Sequence, residues 1–398
     1  MGDAGRSMRM PARTLGPAAA LLLAGCASAY GGLRPEAGIP ALAARLGEAG
    51  EFPATTRLVD AGEAGGRRLR IAAEERGRGD RERLVVLVHG VFSDSRLWRF
   101  MVGRLAAEAD VAALDLPGCG GSDVPPEGGE GPSACCPDRL ARATLTAIRG
   151  LLRDRPRATR VTLVGHSLGT GVILRALGSP GLLRGFSDVV RRVDGVVLLS
   201  PVEFSYAKRD PIFDRLSTVS GVEIGLGNAL GLLREKVAEA VRDGAGEPGL
   251  APREEADRVR EILTDPERRR AGQAMLRDAI PFDGDLRPDW ARIESLVDDY
   301  RRVAVPVVIA AGARDDSVPC ALAYKLRQQL PRAWLRVFPR TGHSLPTERP
   351  EECARLVLDF LADRAAEWEP YAESTVGPPP ARAAAGLAAG PVHAGVSR

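Results

Sequence analysis

Val161-Thr162-Leu163-Val164-Gly165-His166-Ser167-Leu168-Gly169 is the stretch from which the rest of the chain can be ordered. Val161 to Val164 is a short apolar, β-branched run of the kind that forms a buried strand. Directly after it the period changes, with Val172, Ile173 and Ala176 recurring at helical spacing. Between the two lies G-x-S-x-G. A tight turn from strand into helix exposes Ser167 above the sheet edge, and the small residues on either side let a strained backbone pack. The N-terminus of the following helix favours negative charge developing nearby. A serine so placed is a candidate nucleophile.

Working outward, Leu84 to Val88, Val111 to Leu114, Val196 to Leu199, Val305 to Ala310 and Leu335 to Phe338 read as further buried strands. Apolar strands alternating with helical stretches predict an α/β fold with a mostly parallel sheet covered on both faces. Arg57 to Asp60 and Arg68 to Ala72, around a Gly-rich turn, predict an opening hairpin. One interval breaks the rhythm. Residues 201–302 separate two consecutive strands, where a crossover needs only about a dozen residues. Leu226, Leu230, Leu233, Val237 and Val241 fall at helical spacing there, and Arg253 to Leu263 and Pro266 to Ile280 also look helical. The segment is read as a helical cap inserted after the sixth strand. Its apolar stripe is read as core rather than pocket lining, and its position makes it the expected source of substrate choice.

A weak alcohol needs a base to activate it. The chain has four histidines. His89 ends a strand, His166 lies inside the Ser167 turn and His393 falls near the C-terminus, which leaves His343 after the last strand as the candidate base. A carboxylate is needed to orient it. Asp315 and Asp316, after the Val305 to Ala310 strand, are both candidates, and Glu203 is a minority alternative after the preceding strand. Acyl transfer also needs N–H donors where the oxyanion forms. Val91, in the turn after His89-Gly90, and Leu168, after the candidate nucleophile, are placed to supply them.

The ends of the chain read differently. Arg6, Arg9 and Arg13 precede an apolar run from Leu15 to Ala24, too short to span a bilayer as a helix. It closes on Leu23-Ala24-Gly25-Cys26, which resembles the lipobox of bacterial lipoproteins. That resemblance implies a signal peptide over 1–25, lipidation of Cys26 and an exported protein anchored to the membrane of the cell envelope. Residues 26–52 read as a tether and 369–398 as a disordered tail. A net charge of +3 with no basic block gives no case for nucleic acid, and 44% hydrophobic residues argue against general disorder. The cysteines after Cys26 match no zinc pattern, and an oxidising compartment would allow some to pair.

Taken together, residues 55 to 365 resemble the α/β-hydrolase superfamily. Leu116-Pro117-Gly118-Cys119-Gly120-Gly121-Ser122-Asp123 is similar to its loop after the fourth strand. The resemblance implies the order Ser, Asp, His, and favours Asp315, four residues before Pro319, over Asp316. It implies a core over 53–200 and 303–368 with a lid over 201–302, and oxyanion donors at Val91 and Leu168. The implied activity is hydrolysis of a carboxylic ester or similar acyl substrate, small or lipid-like. Acyl transfer, carbon–carbon bond hydrolysis and haloperoxidase-like chemistry are possible on the same triad, and a non-catalytic ligand-binding role is the remaining alternative. No metal or organic cofactor is implied.

Overall fold

Every side chain from Leu84 to Val88 is buried, but alternate ones meet different partners. Leu84, Val86 and Val88 join one apolar cluster, Val85 and Leu87 another. The computed structural model describes residues 54–126, 133–202, 211–247, 249–279 and 289–363. In it this run is β3 (Arg83–Val88), near the middle of a sheet covered on both sides. A strand with two buried faces reads as continuously apolar because the period-two alternation has no solvent side to mark it.

Ahead of it, β1 (Thr55–Ala64) and β2 (Arg67–Arg76) form the expected hairpin, longer than the sequence pattern suggests. After it come α1 (Val102–Glu108), β4 (Asp110–Leu114), α2 (Pro137–Arg153), β5 (Arg160–His166) and α3 (Leu168–Gly178). The short helices α4 (Pro180–Gly185) and α5 (Ser187–Val190) lead to β6 (Val193–Leu199). Next are α6 (Pro211–Thr218), α7 (Gly221–Ala229), α8 (Leu232–Asp243), α9 (Arg253–Thr264), α10 (Pro266–Ala279) and α11 (Trp290–Tyr300). The chain then returns through β7 (Val307–Gly312), α12 (Ala321–Gln329), β8 (Ala333–Phe338), α13 (Leu345–Glu348) and α14 (Pro350–Leu361).

The sheet has eight strands in the order β1-β2-β4-β3-β5-β6-β7-β8. From β4 to β8 neighbours are parallel, and only the opening hairpin and its junction with β4 are antiparallel. Residues of α2 and α3 pack on one face, those of α1 and α14 on the other. The chain runs from β3 outward to β4 and then returns to β5 on the opposite side of β3. Such a switch of direction leaves a crevice at the carboxyl ends of the strands. The turns after β3 and β5 both open into it.

Two readings of the sequence need correction. The fifth apolar run begins at Val307 rather than Val305, because Pro306 has no N–H for the ladder and contributes its carbonyl alone, to Val196 N–H at 3.0 Å. The stripe from Leu226 to Val241 is two helices, α7 and α8, broken at Gly231, which takes φ 73°. Val237 is buried in a cluster with Val219, Ile224, Ile262, Leu263 and Phe92, as a core stripe requires. Leu226 and Leu230 are instead 55% and 62% exposed. Among the described residues, no helix is long and apolar enough to cross a membrane.

Candidate active site

Ser167 sits between β5 and α3 at φ 50° and ψ −122°, a conformation that costs an L-residue roughly 1–3 kcal/mol. Its surroundings hold it there. Its N–H donates to Leu199 O at 3.0 Å, and its carbonyl accepts from Thr170 N at 2.9 Å and Thr170 Oγ1 at 2.6 Å. The Thr170 hydroxyl in turn accepts Val202 N–H at 3.1 Å. The last glycine of the elbow motif and Gly90 in the facing turn are explained by close approach. A Cβ on Gly169 would lie 2.2 Å from Val88 O, and one on Gly90 would lie 2.9 Å from Ser167 Cβ. Only glycine lets the first turn of α3 and the turn after β3 come this near.

The structure brings Ser167, His343 and Asp315 into one hydrogen-bonded row. His343 Nε2 lies 3.0 Å from Ser167 Oγ, and His343 Nδ1 lies 2.7 Å from Asp315 Oδ2. Asp315 is buried, and its second oxygen accepts Val318 N–H at 2.8 Å. Asp316, next to it, is exposed. Glu203 and His393 lie outside the described residues, as do Cys26, the signal, the tether and the tail. With the carboxylate accepting at Nδ1, the proton resides there and Nε2 presents its lone pair to the serine hydroxyl. Burial works against a charged imidazole, yet the Asp315 charge, its hydrogen bond and the Glu348 charge outweigh it, leaving His343 above its ordinary pKa.

Val91 and Leu168 flank the same spot. Leu168 is the first residue of α3, so its N–H has no intrahelical acceptor. Val91 follows Gly90 in the turn that packs on Ser167. His89 pins that turn from beneath. Its Nε2 accepts Leu116 N–H at 2.9 Å, so the proton is on Nδ1, which donates to Gly90 O at 2.7 Å. His166 has a corresponding role on the other side. Its ring donates from Nε2 to His343 O at 3.0 Å. Burial and the neighbouring His343 push the His166 pKa down to about 3, so the ring is neutral. Neither role is visible in a one-dimensional motif, because the partners are a carbonyl and an N–H that carry no side-chain signature.

Helices of the segment between β6 and β7, read from the sequence as a cap, pack on this turn. Phe92, at φ 48°, inserts its ring among the cap residues Val219, Ile224 and Ile262. α10 passes directly above, with Gly272 against the Phe92 ring and Ala271 against Gly118. From α9, Arg258 donates to Ser93 Oγ at 3.1 Å and pairs with Glu255 of the same helix. Buried charges of this kind are tolerated when fully paired. The five described cysteines, Cys119, Cys135, Cys136, Cys320 and Cys353, are all free thiols, so the pairing that an exported chain would allow is not seen among them. No cluster of metal-ligating side chains occurs among the described residues.

A serine on a strained strand-to-helix elbow, followed in the chain by the aspartate and then the histidine of its hydrogen-bonded row, and a doubly covered, mostly parallel sheet define a class of protein. Residues 85–356 match the model of the alpha/beta hydrolase family, and the chain belongs to that family. Over 285 residues it is 26% identical to the uncharacterized hydrolase YugF of Bacillus subtilis, covering 70% of this chain and 89% of that one. It is also 26% identical over 317 residues to 2-(acetamidomethylene)succinate hydrolase of Mesorhizobium japonicum, covering 77% and 95%. Among solved structures it resembles the 2-hydroxy-6-oxo-6-phenylhexa-2,4-dienoate hydrolase of Rhodococcus sp. strain RHA1. That likeness has a TM-score of 0.59 at 23% identity, covering 78% of this chain and 99% of that one, and it speaks to the fold.

Proposed function

We propose that this hydrolase is a serine esterase-like enzyme that cleaves a carboxylic ester or similar small acyl substrate through an acyl-enzyme on Ser167. The supporting observation is the row Ser167 Oγ, His343 Nε2, His343 Nδ1, Asp315 Oδ2, with both links inside hydrogen-bonding distance. His343 takes the hydroxyl proton as Ser167 attacks the carbonyl carbon. The oxygen, now negative, rests on the N–H groups of Val91 and Leu168. His343 returns the proton to the leaving alcohol, and the acyl group stays on Ser167. Water then attacks under the same base and frees the acid.

A fluorophosphonate probe tests this reading. The wild type should be labelled on Ser167 and should hydrolyse p-nitrophenyl esters of graded chain length, while Ser167→Ala should do neither. A folded protein whose Ser167 stays unlabelled would overturn it. Product analysis in the presence of competing alcohols separates hydrolysis from acyl transfer. A parallel assay on a vinylogous diketone separates ester from carbon–carbon cleavage.

The same proposal places the enzyme on the membrane of a bacterial cell envelope, tethered through a lipid on Cys26. One feature of the cap supports that setting. Val222, Leu226 and Leu230, at i, i+4 and i+8 along α7 and its end, are 81%, 55% and 62% exposed. Gly225 and Ala229 are exposed beside them. Exposed apolar rows of this kind mark surfaces that something covers.

A further inference from the structure

His343 is carried by a loop, and its neighbours there come from the cap as much as from the core. Glu348 closes the short helix α13 immediately after the loop and is buried. Its Oε1 accepts Ser344 N–H at 3.0 Å and its Oε2 accepts Gly342 N–H at 2.8 Å, so the carboxylate grips the residues on both sides of His343. The same Oε2 accepts a third N–H, from Gly246 at 2.9 Å. Gly246 belongs to the segment that joins α8 to α9, which is cap.

Two more hydrogen bonds hold the segment to this region. His343 N–H itself donates to Gly244 O at 3.2 Å, and Arg314, beside Asp315, donates from Nη1 to Gly246 O at 2.9 Å. The two backbones are in direct contact. A Cβ on Gly246 would lie 2.4 Å from Thr341 Cα, and one on Gly342 would lie 2.2 Å from Gly244 O. A buried carboxylate accepting three N–H groups is costly to leave half-satisfied, so its contacts form and break together.

Given the catalytic reading of Ser167 and His343, we propose that Glu348 is a positioning residue that locks the His343 loop to the cap. Seating of the Gly244–Gly246 segment and alignment of His343 with Ser167 are then a single event. The charged groups around the loop are the Asp315 and Glu348 carboxylates, the Arg314 guanidinium toward the cap, the Arg340–Glu247 pair at 3.6 Å between loop and cap segment, and Arg349, whose Nε donates to Thr341 Oγ1 at 3.2 Å. His166, packed on the opposite side, is neutral. Loss of the cap contact frees the loop while leaving the side chains of Ser167, His343 and Asp315 chemically unchanged.

Glu348→Gln and Gly246→Ala test the coupling from its two sides. An amide has one acceptor oxygen and no charge, so Glu348→Gln breaks part of the grip and removes an anion that favours protonated His343. Expected is a fall in kcat of roughly 10- to 100-fold, the scale of a displacement of about 1 Å, with the acidic limb of kcat/KM moved to lower pH. Gly246→Ala leaves every titrating group in place and forces the backbones apart, so kcat should fall while the acidic limb stays where it is. Glu348→Gln activity within twofold of wild type, or reduced activity with an unmoved limb, would overturn the proposal. Wild-type behaviour of Gly246→Ala would do the same, and that variant alone decides the matter if Glu348→Gln does not fold. Failure of the catalytic reading looks different: the wild type itself would show no Ser167-dependent turnover.

Discussion

Replacing Asp315 with Asn separates the orienting acid from its neighbour, and the structure sets what the change should do. Oδ1 of Asp315 accepts Val318 N–H at 2.8 Å, while Oδ2 faces His343 Nδ1 at 2.7 Å. In Asp315→Asn the amide oxygen must stay on Val318, because an NH2 group there would meet another donor. The NH2 group therefore faces His343 Nδ1 and donates to it. The imidazole proton moves to Nε2, which then donates to Ser167 Oγ instead of accepting from it. Fold and substrate binding remain, but the base is in the wrong tautomer. A wrong-tautomer imidazole costs roughly 10⁴ in rate, which at about 1.36 kcal/mol per decade adds about 5 kcal/mol to the barrier. The assay is kcat/KM on the best p-nitrophenyl ester, with the rate of fluorophosphonate labelling as a substrate-independent check. Asp316→Asn, whose side chain is exposed, should stay within about twofold of wild type because surface changes away from the site are near neutral. Asp315→Asn activity within about tenfold of wild type would refute the reasoning, since no correctly oriented base would then be needed.

Three further outcomes follow from the same contacts. Catalysis needs neutral His343, whose pKa is raised, so kcat/KM should climb through a limb lying above the ordinary imidazole value of about 6.5 and then level off; a limb below that value contradicts the Asp315 pairing. Folded His166 resists protonation down to about pH 3, whereas the unfolded chain binds that proton near pH 6.5. Its contribution to stability should therefore be fully present above pH 6.5 and decline as pH falls toward about 3; thermal melts of wild type and His166→Gln across that window should converge at low pH, and parallel curves would count against it. Cys26→Ser should move the protein from the membrane to the soluble fraction of producing cells, and continued membrane association would remove the lipid anchor from the proposed function.

Much of the site was legible because its local parts are dictated by local chemistry. The elbow needs glycine where a Cβ would strike Val88 O, so the pattern around Ser167 betrays the turn. His343 emerged by elimination among four histidines, each placed by the element beside it. The choice between Asp315 and Asp316 was not legible from the residues themselves. Adjacent carboxylates have the same composition and nearly the same position, and only the path of one turn, closed by Val318 N–H, aims one inward and leaves the other in solvent. The division of the cap stripe was missed for a similar reason. Leu226 and Val237 look alike in a periodic pattern, but a left-handed turn at Gly231 sends them to different environments.

By itself, then, the sequence determined most of the strands, the covering of the sheet on both faces and the candidate nucleophile and base, since these follow from side-chain period and backbone sterics within a few residues. What the tertiary structure decided are the relations between remote segments. Ser167 and His343 stand 176 positions apart, and Gly246 and Glu348 stand 102 apart, so no local pattern records that they meet. Contacts of that kind are set by how the sheet, the loop and the cap pack on one another, and a hydrogen bond to a backbone N–H leaves almost no trace in the residue types that make it.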